Sequence, residues 1–143
     1  GDKSGKLISD ILKNTYSTTT DIVGYEILPD DIDKIKTHLI KYSDEKKVNL
    51  IITSGGTGFS RRDVTPEATK MVIDKETNGI SEAIRSYGQR RTPLSMLSRG
   101  ISGTRDKTLI VNLPGSTKAV SESLDLLLPS VFHAFNMLEG KGH

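Results

Sequence analysis

The 143-residue sequence lacks cysteine and tryptophan, and its aromatic residues are limited to four tyrosines and three phenylalanines. Without cysteine, disulfides, thiolate zinc sites and cysteine nucleophiles are all excluded. So few aromatic side chains argue against a surface that stacks single-stranded nucleic-acid bases. No apolar run approaches the length of about 18 residues that a membrane span needs. The formal net charge of +2 is too small to indicate a nucleic-acid or membrane partner.

The seven arginines are concentrated in one part of the chain, between Arg61 and Arg105, whereas the thirteen lysines are spread over all of it. A guanidinium group can bind phosphate through two parallel hydrogen bonds, which a lysine ammonium cannot do. The clustering is therefore consistent with an anionic ligand that carries phosphate. It is equally consistent with an ordinary solvated surface.

Hydrophobic periodicity predicts alternating helices and strands, in the order α-β-α-β-α-α-β-α-α. This alternation is typical of a three-layer α/β fold, a mostly parallel sheet with helices on both faces. A chain of this length fits a single domain over residues 1–143. Asp30 and Thr65 are predicted N-caps, with Pro66 in the first helical position. The predicted helices cover about 4–13, 31–43, 65–75, 79–89, 117–127 and 129–140, and the predicted strands 19–27, 48–53 and 107–113.

Three loops follow the carboxyl ends of the predicted strands, where α/β sheets bind their ligands. They are Leu28–Asp31, Thr53–Asp63 and Asn112–Ser116. The third loop precedes a helix whose N-terminus could bind an anion, although Ser116 could also simply cap that helix.

The second loop is rich in glycine, which lets successive backbone N–H groups approach an anion. It is not a Walker A motif, because no Gly-Lys-Ser/Thr follows. It is not a dinucleotide-binding fingerprint either, because Arg61 occupies the third glycine position. The structural alternative is a tight strand-to-helix turn. The glycine-rich stretch consists of Ser54, Gly55, Gly56, Thr57 and Gly58.

Two acidic residues, Asp30 and Asp63, lie in different loops of this set. If both loops face one cleft, their carboxylates could share a Mg²⁺ ion, which takes oxygen ligands from carboxylates, water and substrate phosphates. The neighbouring Arg61 and Arg62 favour the ionised form of Asp63. Alternatively, Asp30 caps the next helix and Asp63 stabilises its own loop. Spacing alone does not distinguish these interpretations.

Several segments together resemble the molybdopterin adenylyltransferases, the family of MogA-like bacterial proteins and of gephyrin-type G domains. The most specific block is Ser-Gly-Gly-Thr-Gly-Phe at 54–59, followed by Arg-Asp-Val-Thr-Pro-Glu-Ala-Thr at 62–69. The resemblance covers nearly the whole chain, in order and with compatible spacing. Further matching segments are Asp2–Gly5, Leu28–Asp30, Met96–Arg99 and Leu109–Ser116.

The resemblance implies a role in molybdenum cofactor biosynthesis, the Mg²⁺-dependent transfer of AMP from ATP to molybdopterin with release of pyrophosphate. It implies that Asp30 and Asp63 are catalytic and bind the metal. It also implies a cytoplasmic homotrimer and a molybdate-insertion enzyme that receives the product. A non-catalytic molybdopterin-binding or trimeric scaffold paralogue is the alternative. The implied nucleotide- or pterin-binding residues are Ser54, Gly55, Gly56, Thr57, Gly58, Ser98, Asn112, Pro114, Gly115 and Ser116.

Two departures from the family pattern carry further expectations. Relatives have an apolar strand before the Asp-x-Ser-Gly turn, which here is Asp2–Gly5. We therefore expect additional N-terminal residues in the natural protein, forming a strand of the sheet and contributing to the ligand cleft. Arg61 stands where relatives often carry proline or alanine, which adds charge beside Asp63. This charge could alter phosphate affinity, or Arg61 could simply face solvent, which we expect.

Overall fold

A computed structural model describes residues 2–138, in which two helical layers cover the faces of a four-stranded sheet. The predicted α/β class and three-layer arrangement are confirmed. Within these residues no helix combines the length and the apolar character that crossing a bilayer requires. The elements are α1 (Lys3–Thr15), α2 (Ile32–Ile40), a π-helical turn (Lys41–Glu45), β1 (Leu50–Ser54), α3 (Thr65–Val72), β2 (Lys75–Glu76), α4 (Asn78–Gly88), a 3₁₀ helix (Pro93–Leu97), β3 (Ser102–Arg105), β4 (Thr108–Leu113) and α5 (Thr117–Leu138).

The sheet has the strand order β1-β4-β3-β2 and is mixed rather than mostly parallel. β1 and β4 are parallel, with Leu50 opposite Leu109 and Ser54 opposite Leu113. The β3–β4 and β2–β3 pairs are antiparallel. The reason is the connection between β3 and β4, which is only residues 106–107. Such a short turn joins antiparallel strands, since a parallel pair needs a long crossover.

The core lies on both faces of β4, whose six residues are all buried. Successive side chains of a strand point to opposite faces, so each face receives alternate residues. Leu109, Val111 and Leu113 pack with α1, α4 and α5, whereas Ile110 packs with α2 and α3. β4 is thus the buried centre that fixes the loop after it, and this loop lies in the candidate site.

Residues 19–27 do not form the predicted strand. Val23 and Ile27 are 54% and 74% exposed, so the apolar pattern that suggested a strand has no partner surface. A strand needs a hydrogen-bonded neighbour. In the described chain one edge of β1 is unpaired, and a groove of about 1020 Å³ is lined by both β1 and this segment.

The predicted helices 117–127 and 129–140 are one helix, α5, with Pro129 inside it. The expected end near Gly140 lies outside the described residues. Proline removes one helical hydrogen bond and costs about 3 kcal/mol in a helix interior. Leu124, Leu128 and Val131 lie on both sides of Pro129 and are all buried in the same core cluster. Their packing outweighs the cost and keeps the helix continuous.

β2, β3 and the 3₁₀ helix were not predicted. β3 reads Ser-Gly-Thr-Arg, which lacks the β-branched and aromatic pattern of a typical strand. Its pairing is instead determined by close packing, since a Cβ added to Gly103 would lie 2.6 Å from both Ile73 Cδ1 and the Lys75 carbonyl oxygen.

At the amino end of β4, Arg105 links three elements. Its Nε and Nη2 donate to the two Asp44 oxygens at 3.0 and 2.9 Å, and Nη1 donates to the Val72 carbonyl at 2.8 Å. These hydrogen bonds from Arg105 hold the pKa of Asp44 below its ordinary value.

We expect Asp44→Asn to lower the free energy of unfolding at pH 7. A carboxyl group with a lowered pKa in the folded state adds stability above its ordinary pKa and loses it as the pH falls through the folded value. Urea denaturation over a pH series should therefore show the two proteins converging as the medium becomes acidic. A difference in stability that stays constant with pH would contradict this.

Candidate functional site

The loops after β1 and β4 lie side by side because the two strands are parallel and in register. Gly55 N donates to the Leu113 carbonyl at 3.0 Å. A Cβ on Gly115 would lie 3.3 Å from the Gly55 Cα, so two glycines allow this close approach. From α1, the Ser4 hydroxyl donates to the Gly115 carbonyl at 2.5 Å. The structure thus brings two of the three predicted loops together at the start of α1.

The glycine-rich loop requires glycine at two of its positions. Gly55 and Gly56 have φ values of +88° and +71°, in the left-handed region that side chains disfavour. The Gly56 carbonyl accepts the N–H of Thr65 at 3.2 Å, which ties the loop to the start of α3. Thr65 is therefore the first residue of α3 and not its N-cap, which is Val64.

Asp63 lies at the end of the same loop and is half-buried. Its Oδ2 accepts the N–H of Ser60 at 2.9 Å, and its own N–H donates to the Ser60 carbonyl at 3.1 Å. The Ser60 amide, with smaller contributions from Gly58 and the charge of Arg99, lowers the pKa of Asp63. The lowered pKa favours the ionised carboxylate, as predicted, but the cause is Ser60, Gly58 and Arg99 rather than the neighbouring Arg61 and Arg62, and the carboxylate also stabilises its own loop.

Asp30 does not cap α2. That role belongs to Asp31, whose extended backbone precedes the helix and whose Oδ1 accepts the N–H of Lys34 at 3.0 Å. The Asp30 side chain is 45% exposed and lies 3.3 Å from Nε of Arg62. Since Arg62 directly precedes Asp63, this ion pair brings the loop Leu28–Asp31 against the glycine-rich loop.

The two carboxylates supply oxygen ligands of the kind that Mg²⁺ binds, with the remaining ligands coming from water and substrate phosphate. No group of three or more histidine or acidic side chains in residues 2–138 is placed to hold a metal. The donor set therefore fits a cation that is bound jointly by protein and substrate oxygens, and not a closed structural metal site.

Arg99 is the residue of this region to which the sequence analysis gave no role. Its backbone N–H donates to the Thr57 carbonyl at 2.8 Å, and its Nε donates to the Gly58 carbonyl at 2.7 Å. Its Nη2 donates to the Asp63 carbonyl at 2.7 Å. Nη1 is 2.7 Å from Glu67 Oε2, an ion pair that lowers the pKa of Glu67. The signals for it in the sequence were the clustering of arginines and its place in the matching segment Met96–Arg99.

The side chain of Asn112 is buried and makes its hydrogen bonds within the protein. Its Nδ2 donates to the hydroxyls of Thr53 and Thr69, both at 3.0 Å, and its Oδ1 accepts the N–H of Ile101 at 3.2 Å. This amide therefore connects β4 to β1, α3 and the segment before β3. It orients the loops and does not point a free donor at a ligand.

The remaining predicted residues lie around the same loops. Ser98 Oγ is 3.5 Å from Thr57 Oγ1 and accepts the N–H of Gly100 at 3.3 Å. Ser116 Oγ accepts the N–H of Ala119 at 3.1 Å, which is a capping contact at the start of α5. Pro114 is half-exposed and Gly115 exposed beside Gly55.

An α/β domain with a left-handed glycine turn, two acidic side chains and several arginines at one sheet edge has the features of a phosphate-binding domain. The chain matches, over residues 1–133, the model of the family described as probable molybdopterin binding domain. It therefore belongs to that family.

Known proteins support this membership. Gephyrin of Dictyostelium discoideum is 41% identical over 98% of this chain, and the match spans 20% of gephyrin. The molybdopterin adenylyltransferase of Helicobacter pylori (strain J99) is 39% identical over 97% of this chain and 78% of that protein. The crystal structure of the molybdopterin biosynthesis enzyme MoaB from Thermus thermophilus superposes with a TM-score of 0.88 and 41% identity. It covers 99% of this chain and 87% of that chain.

Proposed function

We propose that this chain transfers AMP from ATP to molybdopterin, giving adenylyl-molybdopterin and pyrophosphate. The observation that carries the proposal is the ion pair between Asp30 and Arg62, which brings Asp30 against the glycine-rich loop that also contains Asp63. Membership of the molybdopterin-binding family, with a relative named molybdopterin adenylyltransferase, supports the choice of substrate.

In this reaction a terminal phosphate oxygen of the pterin attacks the α-phosphorus of ATP, and the bond to pyrophosphate breaks. Such a transfer needs little covalent chemistry from the protein, so catalysis rests on positioning and on neutralising charge. N–H groups of the glycine-rich loop other than that of Gly55, which donates to Leu113, bind phosphate oxygens, and the loop at 112–116 lines the other side. Asp30 and Asp63 would hold a Mg²⁺ ion, which when bound would neutralise charge on the reacting phosphates.

The side chains divide between direct contact and support. We assign direct contact with substrate to Asp63, Ser98 and the glycine-rich loop, and a supporting role to Asn112, which connects β4 to β1 and α3. Asp30 is available to a cation once Arg62 turns from it toward a phosphate. Because the Arg62 side chain is 84% exposed, that movement meets little resistance.

The wider setting is also part of the proposal. We propose a cytoplasmic homotrimer whose product passes to a molybdate-insertion enzyme. A homotrimer would cover some of the large apolar side chains that are exposed in the described residues. They include Phe59, Met71, Leu94 and Met96, which are 73%, 60%, 66% and 64% exposed.

The test is an assay with ATP labelled at the α-phosphate and purified molybdopterin, run with Mg²⁺ and with EDTA. We expect labelled AMP on the pterin and an equal amount of pyrophosphate, both only with Mg²⁺. A chain that binds molybdopterin tightly but transfers no AMP would contradict the proposal and favour the binding or scaffold alternative.

A further inference from the structure

We propose that Arg99 is a positioning residue which fixes the segment from Gly58 to Asp63, and through it the direction of the Asp63 carboxylate. This inference rests on the proposed function for its effect on catalysis. Its structural part, the fixing of the segment, stands on the geometry alone.

Arg99 closes the segment by contacting both of its ends. Its Nε donates to the Gly58 carbonyl and its Nη2 to the Asp63 carbonyl, each at 2.7 Å. The backbone N–H of the same residue donates to the Thr57 carbonyl at 2.8 Å. These three carbonyls all accept hydrogen bonds from Arg99. Between the two ends of the segment, the Ser60 N–H donates to Asp63 Oδ2 at 2.9 Å.

Only a guanidinium group can make this set of contacts. Its donors are fixed in one plane, so bonds to two carbonyls define the distance between them. A lysine ammonium keeps the charge but is a single nitrogen on a flexible chain. Lysine at position 99 therefore tests the geometry separately from the charge.

Arg99 is itself held from two directions. Glu67, in the first turn of α3, contacts Nη1 at 2.7 Å and Nη2 at 3.3 Å. From α4, Nη1 of Arg85 donates to the carbonyls of Ser98 and Gly100, at 3.3 and 2.7 Å, on either side of Arg99. The residue thus connects the loop to two helices of the scaffold.

The contacts of Arg99 are partly open to solvent, with Arg99 and Glu67 33% and 45% exposed. Ion pairs of this kind contribute little to stability. Loss of the Arg99 guanidinium contacts should therefore have a local effect. It should appear in the loop and in turnover more than in the free energy of unfolding.

Arg105 offers a matched control. It also contacts a carboxylate with two nitrogens, that of Asp44, and a carbonyl with the third, that of Val72. It lies at the amino end of β4, opposite the candidate site. Arg105→Lys removes the same kind of contact without touching the loop.

The experiment compares the full chain with Arg99→Lys and Arg105→Lys by hydrogen–deuterium exchange and by steady-state AMP transfer. For Arg99→Lys we expect faster exchange in residues 58–63 and kcat reduced about 100-fold, as a small misplacement of a catalytic group can cause. KM for ATP should change by less than about threefold, because a displaced Asp63 carboxylate mainly weakens stabilisation of the transition state. Arg105→Lys should resemble the wild type in loop exchange and in kcat.

The outcomes separate the two claims. Wild-type exchange at residues 58–63 in Arg99→Lys, or equal loss of kcat in both variants, would overturn the positioning role. A wild-type protein without AMP transfer would overturn the proposed function, and the exchange data would still decide whether Arg99 fixes the loop.

Discussion

Asp63→Asn should fold as the wild type does, and its rate of AMP transfer should be about 10²- to 10³-fold lower. This range is typical of removing one preorganised charge-stabilising group. Asparagine keeps an oxygen that can accept the N–H of Ser60, the contact that Asp63 Oδ2 makes at 2.9 Å. The loop therefore retains its shape while the negative charge is lost. Without that charge, the site would bind Mg²⁺ weakly and the phosphates would lack their neutralising cation. Initial rates over a Mg²⁺ titration measure the loss.

Asp74→Asn is the matched control for this variant. Asp74 is likewise a loop carboxylate that accepts a backbone amide, the N–H of Asp106 at 2.7 Å. It lies directly before β2, and its own N–H donates to the Thr104 carbonyl of β3. We expect it to leave turnover unchanged. Near-normal AMP transfer by Asp63→Asn, or equal losses in the two variants, would remove Asp63 from the mechanism.

Gly56→Ala should both destabilise the protein and abolish most of its turnover. Its φ of +71° costs an alanine about 1–2 kcal/mol. The new Cβ would also collide with Oγ1 of Thr65, a buried residue, and such overpacking costs about 1–3 kcal/mol. The free energy of unfolding should therefore fall by about 2–5 kcal/mol. Since the loop would have to shift, AMP transfer should fall about 100-fold as well.

Gly79→Ala provides the contrast for a glycine that needs no special conformation. Gly79 lies in the first turn of α4, and a Cβ there would meet no atom within 4 Å. Alanine is favoured over glycine in helices, so stability should rise by up to about 1 kcal/mol. Urea denaturation of both variants checks the pair. A Gly56→Ala protein as stable as the wild type would show that the left-handed turn is not required.

The parts of the fold that could be predicted from sequence are those encoded by local pattern. The periodicity of α1 and the apolar run of β1 gave these elements within a few residues. The approach of the loops after β1 and β4 followed from their parallel pairing, which brings the carboxyl ends of strands to one edge. Gly55 and Gly56 could be recognised because a left-handed turn favours glycine, which is visible in the sequence.

The parts that could not be predicted depend on contacts distant in sequence. Residues 19–27 have a strand-like pattern, yet no described strand pairs with them. β3 has almost no pattern and becomes a strand because β4 lies beside it. The assignment of Asn112 to ligand binding rests on the resemblance and stays a prediction, whereas its three hydrogen bonds within the protein, to residues 11 to 59 positions away, have no local signal in the sequence. The function of Arg99 depends on carbonyls 36 to 41 residues away, which no local motif reveals.

The most direct measurement of the central claim is a crystal structure of the chain with molybdopterin, Mg²⁺ and an ATP analogue that cannot transfer AMP. We predict that the phosphates lie against the glycine-rich loop at residues 54–58 and that the cation contacts Asp30 and Asp63. Nucleotide bound at another surface, with these two carboxylates contacting neither metal nor phosphate, would contradict the account.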